Sequence, residues 1–289
     1  MKTLVIGLGS IGARHSVNLM KLGHEVKAVD PKGDACFTGT PIIDIFVTLA
    51  DGLAWMPEAI LVCTPPSTHL DVGTQCLAAQ VPLFIEKPLA ECPIRALDFL
   101  READRQHIPI AVGYQMRAIE ARRHLWRTVT SGAIGTIYAA HAEFAFSMEK
   151  WRKAPATYRS GIIAEASHEL DQLCWMLGTP YRVIAAADTD DDQERLGLGV
   201  IEFESGARAT FHLDGLAPSY RRSLTIYGEA GTEHVGFEHI DNDHAYQKEL
   251  GAWLDGHPYC TGRQALETVR LLDAIMRSRL TGTWVKVLA

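Results

Sequence analysis

Gly7-Leu8-Gly9-Ser10-Ile11-Gly12 fits the pattern G-x-G-x-x-G and follows the apolar run Leu4-Val5-Ile6. Such a loop does definite work when it joins a strand to a helix. Gly7 permits the tight turn, Gly9 lets the backbone approach a pyrophosphate, and Gly12 lets the helix pack close to the strand. The helix N-terminus, with Ser10 and Ile11 in its first turn, offers free N–H groups to phosphate oxygens. Asp30 lies eighteen residues beyond Gly12, at the end of the alternating run Glu25 to Asp30. A carboxylate there accepts hydrogen bonds from an adenosine ribose and repels a 2′-phosphate, so the pattern favours NAD over NADP. Lys32 is the one nearby residue that would suit a phosphate. The bland reading of the same residues is a glycine turn with a solvated Asp.

Two further groups could carry chemistry. Glu86-Lys87-Pro88 closes a presumed strand, as Thr64-Pro65-Pro66 closes another. Ligands in open parallel sheets bind outside the carboxyl ends of the strands, which points Lys87 into a cofactor cleft. A cation there can polarise a carbonyl or stabilise the oxygen of a hydroxyl as hydride leaves. The spacing equally allows a surface Lys in a turn. The stretch 162–177 reads as a helix carrying Glu165, His168, Glu169, Asp171 and Gln172. Glu165, His168 and Gln172 share one face, with Asp171 three residues from His168. Histidine is the natural proton acceptor for a substrate hydroxyl. The same residues also suit a solvated helix with an acidic face. Trp151, Arg152, Tyr158 and Arg159 precede this helix and could line a substrate, Arg binding carboxylate or phosphate bidentately. They could also snorkel over the surface.

These residues need a scaffold. Apolar runs at 4–6, 59–63, 82–85 and 110–112 alternate with helical patterns after Gly12, at 71–79 and at 94–106. That rhythm predicts a Rossmann-type α/β domain with a doubly wound parallel sheet. Beyond Gly113 it changes. Helical patterns at 119–130 and 162–177 flank strand-like runs at 136–146, 182–187, 198–203, 208–213, 223–227 and 232–236. An amphipathic helix over 263–280 follows. Strands without intervening helices predict a second α/β domain with a large, mostly antiparallel open sheet. The boundary falls near Gly113, giving a dinucleotide-binding domain over 1–113 and a substrate-binding and oligomerisation domain over 114–289. The segment from His234 to His244 is rich in possible metal ligands, but its spacings match no metal geometry and it reads as a polar loop.

The bulk composition sets limits. Lys plus Arg number 28 against 35 Asp plus Glu, a net charge of −7. That balance argues against a nucleic-acid binder. No apolar run is long enough to span a bilayer, and the first residues read as a strand rather than a signal peptide. The six cysteines are scattered without C-x-x-C spacing, as reduced thiols in a cytoplasm are.

Taken together, GLGSIGARH at 7–15, TPPSTH at 64–69, EKP at 86–88, GYQMR at 113–117 and SHELD at 167–171 resemble the Gfo/Idh/MocA oxidoreductases. Tyr246, Glu249, Leu250, Leu254 and the segment from Arg263 to Val287 extend the resemblance over nearly the whole chain. It implies an NAD-dependent dehydrogenase acting on a CH–OH carbon of a sugar, sugar acid or nucleotide-linked sugar. Lys87 would stand near the nicotinamide, with Thr64, Pro65, His69 and Glu86 on the cofactor side. His168 would be the acid/base, and Asp171 an acidic position near the substrate. Tyr114, Gln115 and Arg117 fall where members contact cofactor or substrate. It also implies a homodimer or homotetramer formed through the open sheet. Many members carry Asp four residues before the histidine; here that position is Ala164, and the nearest acid is Glu165. The GSIGARH and SHELD variants are more similar to a branch associated with acidic and amino sugars. Two other uses of the scaffold are a redox-neutral enzyme that recycles bound NAD and a non-catalytic NAD-binding sensor, which has no need of both Lys87 and His168.

Overall fold

The computed structural model describes residues 1–33, 44–148, 161–190, 193–236 and 242–288. The chain divides into two compact units, Met1–Ala118 with Asp241–Leu266, and Ile119–Ile240 with Glu267–Ala289. The first unit thus runs five residues past the Gly113 boundary read from the sequence, and a later segment returns to it.

The first unit is built on six parallel strands: β1 (Lys2–Ile6), β2 (Glu25–Val29), β3 (Ile45–Phe46), β4 (Ala59–Val62), β5 (Leu83–Glu86) and β6 (Ile110–Gly113). Their order is β3-β2-β1-β4-β5-β6. The central strands are wholly buried, as continuous apolar runs require of a sheet covered on both faces. Between them run α1 (Ser10–Lys21), α2 (Leu49–Ala54), α3 (His69–Cys76) and α4 (Pro93–Arg105). The parallel register places Ile6, Val29 and Val62 side by side, so the loops after β1, β2 and β4 open on one edge of the sheet. A late helix, α8 (Asn242–Leu254), completes this unit. Leu250 and Trp253 join Val5, Leu61 and Phe84 in its core. The sequence reading ended the segment from His234 to His244 as a loop. Residues 237–241 lie outside the described residues, but 242–244 open this helix. The His/Asp-rich start masked the apolar packing that follows.

The second unit holds a seven-stranded sheet in the order β12-β11-β7-β10-β9-β8-β13. Its strands are β7 (Ile137–Ser147), β8 (Pro180–Asp190), β9 (Gln193–Phe203), β10 (Arg208–Asp214), β11 (Leu216–Gly228), β12 (Gly231–Val235) and β13 (Val285–Lys286). All pairs are antiparallel except β7 with β10, which run parallel. One face packs on α5 (Glu120–Thr130), α7 (Ser167–Leu177) and the later turns of α9 (Gly262–Thr281). Phe144, Ile201, Phe211, Leu213, Leu224 and Ile226 meet Leu170, Leu173 and Leu271 there. The helix expected over 162–177 is broken. A single turn, α6 (Ile162–Glu165), ends at Ala166, whose ψ of 14° leaves the helical range before α7 begins. No helix of the described residues is long and apolar enough to cross a membrane.

Candidate functional site

The glycine loop of the first unit has the geometry that its chemistry needs. Gly7 has φ +91°, and a Cβ there would lie 2.8 Å from the Cys63 carbonyl oxygen. A Cβ on Gly12 would overlap the Gly7 carbonyl, so α1 packs down only on glycine. A Cβ on Gly9 would meet open space, which leaves the backbone open to a ligand's approach. α1 starts at Ser10 with no side-chain cap and no acid in its first turn, so Ser10 and Ile11 carry N–H groups at the positive end of the helix dipole. Asp30 Oδ2 accepts the Leu8 N–H at 2.9 Å, and Oδ1 accepts the Lys32 N–H at 3.0 Å. The carboxylate thus fixes the loop, and each oxygen keeps a lone pair for a ribose hydroxyl. An uncapped helix start, an open Gly9 and an acidic strand end fit the pyrophosphate and ribose of NAD.

Lys87 follows β5 directly, is half-buried, and is joined to Pro88 by a cis peptide bond. Each neighbour is held by a buried histidine. His15 Nε2 lies 2.6 Å from Glu86 Oε1, while Glu86 Oε2 accepts the Lys87 N–H at 3.0 Å. Burial alone would raise the Glu86 pKa. The His15 hydrogen bond and charge, followed by Lys87, outweigh that and hold it below the ordinary value. His69 is fully buried, with Nδ1 2.9 Å from the Pro88 carbonyl oxygen and Nε2 2.8 Å from that of Thr64. Desolvation lowers its pKa against the opposing pull of both carbonyls and of Glu86 and Glu91. A neutral ring therefore donates to one carbonyl and only faces the other. His69 and Glu86 were expected against the cofactor. Both are buried, and their hydrogen bonds tie the loops after β4 and β5 to the scaffold.

Glu86 leads to a prediction. Its folded pKa lies below its unfolded one, so its contribution to stability is full above about pH 5 and is lost as the pH falls through the folded value. The thermal midpoint of the native chain is expected to fall more steeply between about pH 5 and pH 3 than that of Glu86→Gln, as followed by circular dichroism.

The GYQMR residues are closely packed within the first unit. Tyr114 is fully buried, and the Gln115 side-chain amide donates to the Tyr246 hydroxyl at 3.2 Å. Burial pushes the Tyr246 phenol well up, with Glu86 and Glu249 acting in the same direction. Tyr246 meets the edge of the His15 ring at 5.0 Å. Arg117 is 1% exposed and donates to Gln264 Oε1 at 3.1 Å and to the Tyr259 carbonyl at 3.3 Å. A guanidinium so enclosed holds the segment 259–264 in place. Thr64 and Pro65 stand half-buried just beyond β4.

In the second unit His168 lies in the first turn of α7 and is 6% exposed. Asp171, one turn on, is fully buried and accepts the Thr268 hydroxyl at 3.3 Å. Glu165 is half-buried on α6. Because the helix breaks at Ala166, Glu165 does not share the helical face of His168 and Gln172 that unbroken spacing predicts. Tyr158 and Arg159, with Trp151 and Arg152, lie outside the described residues. Sequence reasoning did not single out His15, whose place three after Gly12 was its only signal, and it named Glu169 without its partner Arg222. Glu169 is buried and ion-paired with Arg222 Nε at 2.6 Å. Among the described residues no group of three or more His, Cys, Asp or Glu could hold a metal ion.

Residues 1–114 match the family model described as oxidoreductase family, NAD-binding Rossmann fold, and residues 123–233 match the GFO/IDH/MocA C-terminal domain. The inositol 2-dehydrogenase of Burkholderia multivorans is 32% identical over 304 residues, covering 96% of this chain and 87% of that protein. That of Leifsonia xyli is 27% identical over 249 residues, covering 80% and 71%. Among solved structures, the WlbA dehydrogenase from Bordetella pertussis, in complex with NADH and UDP-GlcNAcA, superposes with a TM-score of 0.89 at 22% identity. The match covers 100% of this chain and 99% of that one. The scyllo-inositol dehydrogenase from Lactobacillus casei, with NAD(H) and scyllo-inositol, gives 0.87 at 16% identity, covering 100% and 99%. At these identities the two structures speak for the fold.

Proposed function

The chain belongs to the Gfo/Idh/MocA family of NAD-binding oxidoreductases, and from that premise we propose that it oxidises or reduces a CH–OH carbon of a sugar, sugar acid or nucleotide-linked sugar. The observation that carries this reading is the placing of Lys87 at the carboxyl end of β5, with a buried histidine fixing the residue on either side of it. Such anchoring is expected of a side chain whose direction matters. NAD, when bound, supplies the hydride acceptor, and NADH the donor. Gly7, Gly9 and Gly12 with Ser10 and Ile11 take the pyrophosphate, and Asp30 takes the ribose hydroxyls. Lys87 stabilises negative charge on the reacting oxygen. His168 takes the hydroxyl proton in oxidation and returns it in reduction. Asp171 and Glu165 belong to the substrate's surroundings. Absorbance at the NADH band, followed with a panel of inositols, hexoses and uronic acids, tests the reading. Turnover with at least one supports it, and silence across the panel with both cofactors counts against it.

The second unit's open sheet face supports self-association. Register puts Ile184 and Ala186 beside Val200 and Leu198 on that face, and Leu198 is 43% exposed. Around them lie the paired charges Arg182–Glu202–Arg208 and Arg221–Glu143. An apolar centre within matched charges suits a second copy of the same face, giving a homodimer or homotetramer. Leu198→Asp is expected to halve the mass measured by light scattering, and an unchanged mass would move the interface elsewhere. The free cysteines Cys63, Cys76, Cys92, Cys174 and Cys260 agree with residence in a reducing cytoplasm.

A further inference from the structure

We propose that His15 is a positioning residue for hydride transfer: through Glu86 it fixes the backbone from which Lys87 reaches the reacting oxygen. His15 lies on α1, three residues past the last glycine of the loop, and is fully buried. Its Nε2 stands 2.6 Å from Glu86 Oε1. An ionised carboxylate only accepts, so Nε2 carries the hydrogen of this bond. The other ring nitrogen, Nδ1, is buried and meets no hydrogen-bond partner among the described residues. The imidazole thus directs its hydrogen bonding to Glu86 alone. Glu86 in turn offers its second oxygen, Oε2, to the Lys87 N–H at 3.0 Å. One carboxylate therefore joins the middle of α1 to the first residue beyond β5.

The surroundings leave room for this carboxylate. A Cβ on Gly113, the last residue of β6, would lie 2.8 Å from Glu86 Oε1, so glycine there gives the oxygen its place. The His15 ring packs edgewise with Phe84 at 5.9 Å and with Tyr246 at 5.0 Å. Cohesion alone does not account for a polar pair in such a setting. Apolar side chains of similar size would also pack there, and exchanging a buried ionic pair for them is often neutral or stabilising. What apolar side chains do not supply is an acceptor for the Lys87 N–H. A histidine that holds that acceptor fixes the start of the lysine side chain, as a group that must meet a substrate atom requires.

The role of Lys87 comes from the proposed dehydrogenase reading, on which this inference rests. The test uses His15→Phe, which keeps a ring beside Phe84 and Tyr246 but has no donor, and His15→Gln, whose amide restores one. Hydrogen exchange of the Lys87 amide, followed by NMR on the ligand-free full chain, reads the coupling without turnover. Exchange about tenfold or more faster is expected in His15→Phe, with native protection in His15→Gln. The Leu83 amide at the other end of β5, bonded to the Pro109 carbonyl at 3.1 Å, is the control and keeps its native rate. In steady-state kinetics, kcat is expected to fall about tenfold or more in His15→Phe and to return in large part in His15→Gln. The dissociation constant for NADH changes less than about threefold in either. The double variant His15→Phe/Glu86→Met removes both polar partners, so its thermal midpoint is expected to exceed that of His15→Phe while its kcat stays low. Native exchange at Lys87 in His15→Phe would overturn the proposal. So would native kcat there while Lys87→Ala is impaired, or a kcat that recovers together with the midpoint in the double variant. If His15→Phe does not fold, His15→Asn, whose shorter side chain falls short of Glu86, takes its place in the exchange and kinetic comparisons. Native kcat in Lys87→Ala would instead sink the proposed role of Lys87 and this inference with it, a failure distinct from that of His15 alone.

Discussion

Lys87→Ala is expected to lower kcat by about a thousandfold or more while the dissociation constant for NADH changes less than about threefold. The reason is the division of labour in the first unit. On the proposed reading, cofactor affinity comes from the glycine loop and Asp30, which offer backbone N–H groups and a carboxylate already fixed by Leu8 and Lys32. On the same reading Lys87 stands at the nicotinamide end, away from these contacts. What it offers is a cation at the end of β5, with its own N–H held by Glu86 and the Pro88 carbonyl facing His69. Charge that develops on a substrate oxygen during hydride transfer is stabilised by such a group only in the transition state, so its loss falls on kcat. Lys87→Arg keeps the charge but moves it on a longer, planar head, and a loss of about tenfold or more is expected. Steady-state kinetics beside a fluorescence titration of NADH check both variants. A Lys87→Ala enzyme with native kcat would remove Lys87 from the chemistry.

His168→Ala is expected to reduce kcat at neutral pH by about a hundredfold to a thousandfold and to flatten one limb of the pH–rate profile. His168 opens α7 beside a fully buried Asp171, which the Thr268 hydroxyl holds in place. Removing the imidazole takes away a proton acceptor and also leaves a cavity at a buried position, so the thermal midpoint is expected to fall as well. Added imidazole or small amines restore part of the rate if His168 transfers the proton. A variant that keeps the native profile shape would show that His168 serves in packing alone.

The parts of this molecule that were legible in sequence are those written locally. The buried runs of β1, β4 and β5 announced a parallel sheet because a strand covered on both faces cannot alternate. Gly7, Gly9 and Gly12 announced the loop because their spacing is written locally, and Gly7 and Gly12 stand where a Cβ would clash. The parts that were not legible depend on partners far apart in the chain. His15 and Glu86 are 71 residues apart, Gln115 and Tyr246 are 131, and Glu169 and Arg222 are 53. No periodicity records such pairings. Arg117 and His69 matched family motifs yet face inward, since a motif fixes residue type without saying which way a side chain turns. The break at Ala166 was hidden because the apolar spacing of 162–177 suits one helix as well as two. The parallel neighbour of β7 was likewise unreadable, since an alternating strand pairs in either direction.

Deuterium transfer tests the central claim most directly. The purified full chain is incubated with NAD and a panel of inositols, hexoses and uronic acids carrying deuterium at their carbinol carbons, and the recovered cofactor is analysed by NMR. The account predicts one deuterium at the nicotinamide C4 of NADH, on a single face, from at least one substrate, and none with Lys87→Ala. NADH that forms without deuterium, deuterium that appears only in water, or equal labelling by Lys87→Ala would contradict direct hydride transfer from a CH–OH carbon assisted by Lys87.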